Sequence, residues 1–535
     1  MRIRNWWSRS SLKERTECKG FASRSTIKLL DVLSRFRWVV CQLETLRRSV
    51  QRNVRGILSK LPKTLDETYE RVLRDIHEDN KEHARRLLHC LAFAIRPLLV
   101  EELAEMLTFD FDAAEGGIPV FHADWRWKDQ EEAVLSTCSS LITIAEYDDP
   151  AQPYTVRMVQ FSHFTVKEFL MSNRLATSIK DVSQYHILPG PAHTILAQAC
   201  LGYLLQLNDY TDTRGVKDFP LAKYAAEHWV AHAQFQGVAS HVKCGMKDLF
   251  DSHKPHFASW VGIHNIDGSP FLGYDKLTLL TPLYYSALVG FHELAEHLAI
   301  KHPQHVNAIS GLYDSPLVAA LSRRHFRVAD LLLEHGGNVN FHGTRGRTPL
   351  HTVLRRNHHE DQDNRVVRFL LERGADVNAR DEGHQTPLHI LCHDYFSYNP
   401  NDILTVARLL LQRGADVNAQ DKAHKTPLHL AMRRYYTPNI IRILLEHGAD
   451  PNLKNEEGKT PLHKLLGPQR RGRDSNRPAD YILVVAQLLL EHGADVHARD
   501  NDHKTPLLLA VRHRMSNIER FLLEHGADTA EAVEL

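Results

Sequence analysis

Apolar and polar positions alternate in a fixed phrase along the carboxy-terminal half of the chain. A Thr or Ser followed by Pro and an apolar residue opens a short apolar run at Thr281, Ser315, Thr348, Thr386, Thr426, Thr460 and Thr505. A second, Leu-rich run follows and, from the second copy on, ends on Gly336, Gly374, Gly414, Gly448, Gly493 and Gly526. Each part has a physical reading. The leading hydroxyl can accept from an orphan N–H at a helix start. Pro suits the first helical position, where no N–H is needed. The Leu run is the buried face of a second helix. The Gly is the left-handed residue that stops it. One such helix pair cannot bury its own apolar face, but stacked neighbours can, so the pattern predicts a solenoid of at least three units.

The departures from this phrase are informative. The third, fourth and sixth copies are longer between the capping Thr and the closing Gly. Their insertions, RRNHHEDQDN, HDYFSYNPND and GPQRRGRDSNRPAD, are polar and fall between the two helices. Loop closure costs grow only about 0.6 kcal/mol per doubling of length, so a stack tolerates them. The turn before each Thr should need positive φ. Gly346 and Gly458 suit it, whereas His384, His424 and His503 replace Gly at a strain of roughly 1–2 kcal/mol.

The phrase resembles the ankyrin repeat from about Leu277 to the end. Four copies read TPLH, with His351, His389, His429 and His463. The resemblance implies a mainly α fold ending in an array of about seven helix pairs, with hairpin loops projecting to one side. Its degenerate first copies, at Thr281 and Ser315, are expected of units that cap a stack.

The amino-terminal half has another texture. Apolar residues recur at helical spacing through Leu65, Tyr69, Val72, Leu73 and Ile76, and RPLLVEELAEML reads as a capped helix. VLSTCSSLITI reads as a helix running into a strand, and TVRMVQFSHF as a strand after the AEYDDPAQP turn. FTVKEFL adds a further helix. This is the element order of a winged helix.

Four strings, FRWVVCQLETL, LPKTLDETYERVL, RPLLVEELAEML and VQFSHFTVKEFL, resemble the region downstream of the NACHT nucleotide-binding domain in fungal NLR-like (STAND) signalling proteins. FPLAKYAAEHWVAHAQF with KPHFASWVGIHNID resembles the helical connector that leads to their ankyrin repeats. The resemblance implies five segments. Residues 1–35 are unassigned, and 36–90 are helices of the NACHT carboxy-terminal region. A winged-helix-like domain (91–185), a helical connector (186–275) and the ankyrin array (276–535) follow. It also equates His163 with the winged-helix histidine that approaches nucleotide in relatives. Only some 35 unlike residues precede the match, so the nucleotide-binding core is expected to be missing. A phosphate cradle needs a Gly-rich loop. Gly458-Lys459-Thr460 does not supply one, because Leu453 stands where that loop needs its first Gly.

Composition narrows the chemistry further. Lys and Arg number 66 against 65 Asp and Glu, a net +1 that gives no global attraction to nucleic acid or anionic membrane. The 7 Cys are scattered without a C-x-x-C pair, which argues for a reducing compartment, read as the cytoplasm with the nucleus second. No stretch approaches 18 consecutive apolar residues, so no membrane span is expected. The 35 His invite a metal hypothesis, but eleven sit at repeat positions. HELAEH (292–297) spaces its two His five apart rather than the four that zinc needs. No metal, cofactor or catalytic group is expected.

The remaining function is binding. The ankyrin resemblance places contacts on hairpin tips and on the ends of the first helices. The tips are Arg345, Arg347, Glu382, Gln385, Lys422, Lys425, Glu456, Lys459, Asn501 and Lys504. The helix ends are Arg355, Arg356, His393, Asp394, Arg433, Arg434, Arg512 and His513. Basic residues dominate this set, which points to a protein partner with an acidic surface. Two other readings follow from the same sequence. Nucleic acid could meet the winged helix and the basic face, and a longer form with a P-loop would make a nucleotide-driven switch.

Overall fold

The structure is a computed structural model. It describes residue 62 and residues 64–148, 155–207, 219–267, 280–356, 364–393, 400–432, 438–467 and 479–528. The expectations for residues 1–35, for FRWVVCQLETL and for the AEYDDPAQP turn tip lie outside these residues. The chain divides between Ile266 and Asp267 into two units.

In the first unit, Thr64 starts α1 (Leu65–Arg74) by accepting from the Glu67 N–H, and Tyr69 and Leu73 face inward. Helix α2 (Lys81–Phe93) buries Leu87, Leu88 and Cys90, and it spans the expected domain boundary at 90/91. Strand β1 (Leu98–Leu99), α3 (Val100–Glu105), α4 (Gln130–Cys138), β4 (Ile142–Asp148) and β5 (Thr155–Phe161) follow. The sheet runs β1-β5-β4, all antiparallel, with Ile142 opposite Phe161 and Asp148 opposite Thr155. Three helices on a three-stranded antiparallel sheet make the expected winged helix. The expected cap of α3 is present: the Glu102 carboxylate accepts from the Leu99 N–H at 2.9 Å and from both arms of Arg96.

One feature was not anticipated. A hairpin, β2 (Phe109–Glu115) and β3 (Ile118–Phe121), sits between α3 and α4, turning on Gly116 and Gly117 at φ +59° and +82°. Two left-handed residues are what a tight hairpin with right-handed strand twist requires. Its aromatic face carries Phe109 and Phe121. Phe121 meets the ring of Tyr203 edge-on at 5.3 Å. Tyr203 lies on α6 (Pro189–Leu204), which follows α5 (Phe164–Leu170). Gly202 permits this approach, since a Cβ there would sit 3.1 Å from the Phe109 ring. Helix α6 also packs along α2 and α7 (Ala222–Ala233), so the connector helices share one core with the winged helix. The largest buried rings, Trp229 and Trp260, meet in that core at 5.3 Å.

The second unit is the expected solenoid. Its first helices are Pro282–Val289, Pro316–Ser322, Pro349–Arg356, Pro387–His393, Pro427–Ala431, Pro461–Leu466 and Pro506–Arg512. Each first helix packs on the next. Where the cap geometry is described it follows the sequence, as at Thr281, Ser315, Thr426, Thr460 and Thr505, whose side-chain oxygens accept an N–H of the first turn. The closing glycines, Gly336 through Gly526, lie at φ +82° to +92°, and a Cβ at any of them would meet nothing within 4 Å. Backbone conformation rather than space therefore selects Gly. The next N–H reaches back to a Leu carbonyl in the last helical turn (Ala449 to Leu444, 3.0 Å), which satisfies the helix end. The second helices of the fourth and sixth repeats, Pro400–Gln412 and Ala479–Glu491, have 13 residues against 9 in the fifth. Part of each insertion there becomes extra helix. Most of the inserted residues lie outside the described ones.

Candidate functional site

The hairpins between repeats are held by three sets of hydrogen bonds that the repeat phrase places in register. The first is a ladder of buried histidines. The Thr426 N–H donates to His429 Nδ1 at 3.2 Å, and His429 Nε2 reaches the Lys459 carbonyl of the next repeat at 3.0 Å. A backbone N–H only donates and a carbonyl only accepts, so the ring must be neutral with its proton on Nε2. His351, His389 and His463 repeat the arrangement, reaching the carbonyls of Gln385, Lys425 and Lys504. All four rings are essentially inaccessible to solvent. Burial drives their pKa values down, that of His429 to about 4.

The second set closes each hairpin. Oδ1 of Asp381, Asp421, Asn455 and Asp500 accepts the N–H groups two and four residues on, so that the Lys425, Lys459 and Lys504 amides are tied down at 2.8–2.9 Å. Positive φ follows in each turn, at His384 (+58°), His424 (+55°), Gly458 (+71°) and His503 (+60°). The expected use of His in place of Gly is therefore real.

The third set joins hairpin to hairpin. The amides of Glu382, Lys422, Glu456 and Asn501 donate to Arg345, Gly383, Ala423 and Glu457 of the preceding hairpin at 3.0–3.1 Å. On the far side of each repeat an Asn clamps its neighbour. The Asn418 amide donates to the Gly448 carbonyl, and its oxygen accepts from the Asp450 N–H. Asn307, Asn340, Asn378 and Asn452 do the same. At the last interface His497 occupies that position.

The sequence-proposed residues fall on this frame as follows. Arg345, Glu382, Lys422, Glu456 and Asn501 are exposed at successive tips, so the tip row mixes charges. Arg347, Gln385, Lys425, Lys459 and Lys504 form a second, half-buried row immediately before each capping Thr. Arg355 and Arg512 are exposed on first helices, while His393 and His513 are half-buried. The Arg356 side chain and all of Asp394, Arg433 and Arg434 lie outside the described residues.

Charge is not uniform along the second row. Arg347 lies 3.9 Å from the buried carboxylate of Asp381. Lys459 pairs with Glu457, and Lys504 with Asp502, each at 2.6 Å. The Lys459 hydrogen bond, joined by the charges of Lys464 and Lys425, holds the Glu457 carboxyl below its usual range. The Lys504 bond, joined by Lys459 and Arg512, does the same for Asp502. Five cations thus stand with four carboxylates, Glu457, Asp502 and the closing Asp421 and Asp500, at the fifth to seventh repeats.

Two features of the first unit bear on function. His163 caps α5 and bonds Thr165 Oγ1 through Nδ1 at 2.7 Å, and that hydroxyl in turn meets the Tyr69 phenol at 2.8 Å. Nδ1 is thus engaged in local structure. Trp125 and Trp127, 45% and 51% exposed, flank Arg126, whose guanidinium is locked on the buried Glu105 at 2.9 Å. Sequence reasoning passed over this pair, although the alternation WRWK signals it. Among the described residues no three His, Cys, Asp or Glu side chains are grouped to hold a metal, and no helix is long and apolar enough to cross a membrane.

Comparison with known proteins agrees with this geometry. The family described as "Ankyrin repeats" matches residues 283–381, 317–421 and 394–466, and "Ankyrin repeat" matches 457–501. "GPI inositol-deacylase, winged helix domain" matches 70–180. The azaphilone pigments biosynthesis cluster protein L of Monascus ruber is 31% identical over 316 residues, 56% of this chain and 65% of that protein. The vegetative incompatibility protein HET-E-1 of Podospora anserina is 26% identical over 152 residues, 28% of this chain and 10% of that protein. The chain therefore spans less than two thirds of either relative. The crystal structure of the ankyrin repeat domain of Bcl-3 aligns with a TM-score of 0.36 at 25% identity, over 45% of this chain and 98% of that one. Neither family matched is a catalytic domain. The chain carries an array of ankyrin repeats behind a winged helix domain of the GPI inositol-deacylase type.

Proposed function

We propose that this chain is a protein-binding regulator of NLR-like type that meets an acidic partner along the hairpin edge of its ankyrin repeats. One observation carries the reading. The mainly basic row Arg347, Lys425, Lys459 and Lys504, with the exposed tips beside it, stands on backbone fixed by the histidine ladder, the closing Asp and Asn side chains and the hairpin-to-hairpin bonds. A surface ordered before binding loses little entropy when a partner docks. The resemblance of the first unit to NLR-like proteins, and the match to HET-E-1, support the regulatory part.

The nucleic-acid reading is disfavoured by charge. In a winged helix the helix before the wing is the one that enters a groove. Here that helix, α4, carries Glu131 and Glu132 and no cation, and it would meet phosphate with repulsion. The test compares two faces of the array. Affinity purification with the full chain should lose its partner when Arg345, Arg355 and Lys422 are reversed to Glu. It should keep that partner when the exposed second-helix residues Arg442 and Arg520 are reversed. Loss from the second-helix variant alone would place the contact on the other side and defeat the reading.

A further inference from the structure

The second row has a regularity that the tips lack. Lys425, Lys459 and Lys504 occupy one position in three successive repeats. Each has its amide held by the closing Asp or Asn side chain, and its carbonyl held by the histidine of the preceding repeat. The backbone at three lysines is thus fixed once per repeat, at the stacking interval of the solenoid, roughly 10 Å for helices packed side by side, while the ammonium groups of Lys459 and Lys504 lie on Glu457 and Asp502. Lys464 and Arg512 stand beside them. Glu457 and Asp502, with the closing Asp421 and Asp500, offset part of that charge and leave the row with a small cationic excess.

An extended ligand that matches this interval must present carboxylates on one edge at the same spacing. A β-strand does not, because its same-face side chains recur every second residue, about 7 Å apart. A polyproline II helix does. It has three residues per turn and a rise of about 3.1 Å, so every third side chain shares an edge at about 9 Å. We infer that the fifth to seventh repeats bind an acidic polyproline II segment of the partner, with Asp or Glu at every third position seated on Lys425, Lys459 and Lys504. This rests on the interaction reading above and gives it a ligand class and a register. Each carboxylate would take a charge-assisted bond from one lysine. Glu457 and Asp502 would be left to Lys464 and Arg512.

The test uses the full chain and fluorescein-labelled peptides, followed by anisotropy at two salt concentrations. One peptide carries Glu at every third position with Pro between. Two others have the same composition, with Glu at every second position or in one block. The first should bind about tenfold more tightly than the others, and binding should weaken with salt. Lys425→Glu with Lys504→Glu should weaken it about tenfold, and the neutral pair Lys425→Gln with Lys504→Gln should weaken it less. Both side chains are half-buried, and unchanged circular dichroism melts certify the folding of each variant. Equal binding of the three peptides, tighter binding of a single-stranded oligonucleotide of equal charge, or indifference to both variants would overturn the inference. If the full chain still captures its partner while the peptides show no spacing preference, this register fails and the interaction reading stands.

Discussion

The buried histidine ladder makes acid stability a direct reading of the repeat interfaces. His429 is locked neutral by two opposed bonds, and burial lowers its pKa from 6.5 to about 4. In the unfolded chain the ring regains the ordinary value. As pH falls below about 6.5 the unfolded state takes up the proton first, so stability is lost between about 6.5 and about 4, whereas above 6.5 it is independent of this group. At pH 5.0 the loss from His429 alone is about 2 kcal/mol. His351, His389 and His463 shift in the same direction and add to it. The perturbation is His429→Gln, which removes the titration and leaves the other three. Urea unfolding of the full chain, followed by far-UV circular dichroism, is run at pH 7.5 and 5.0. The variant should be less stable at pH 7.5 by about 1–3 kcal/mol, the range for leaving buried partners unpaired. The gap to the wild type should then close by about 2 kcal/mol at pH 5.0. A gap that stays constant or widens would refute the neutral, buried assignment of this ring.

Three further outcomes follow from single residues. Thr460→Ala removes the hydroxyl that serves both the His463 N–H and its Nδ1, and it should lower stability by about 1–2 kcal/mol in thermal melts. His503 sits at φ +60° with an exposed side chain, so His503→Gly should raise stability by up to about 1 kcal/mol, and a lower melting temperature would contradict the strain argument. His497→Asn restores the clamp residue of the earlier interfaces, which there accepts from the N–H two residues after the closing Gly, and should add about 1 kcal/mol, together with slower hydrogen exchange at the Asp528 amide.

Much of the fold was legible because its rules are local. A Thr before Pro caps a helix within its own first turn, and a Gly after a Leu run ends one through its own φ. The six closing glycines and the turn histidines adopt the conformations their positions predict. The strand and helix order of the winged helix could be read for the same reason. The β2–β3 hairpin was missed even though Gly116-Gly117 marks its turn. Its residues were absorbed into the run between α3 and α4, and its purpose, an aromatic face for Tyr203, depends on a helix some eighty residues away.

The candidate site divides in the same way. By itself the sequence determined that helix pairs repeat and where each starts and stops. Only the tertiary structure decided what the candidate side chains stand on. The partner of each TPLH histidine is a carbonyl 30 to 41 residues downstream, and the insertions change that separation from one repeat to the next. A hydrogen bond across such a gap is set by the stacking of helices rather than by spacing along the chain. The evenly anchored lysine row and the neutral, buried histidines beneath it therefore became visible only once the repeats were stacked.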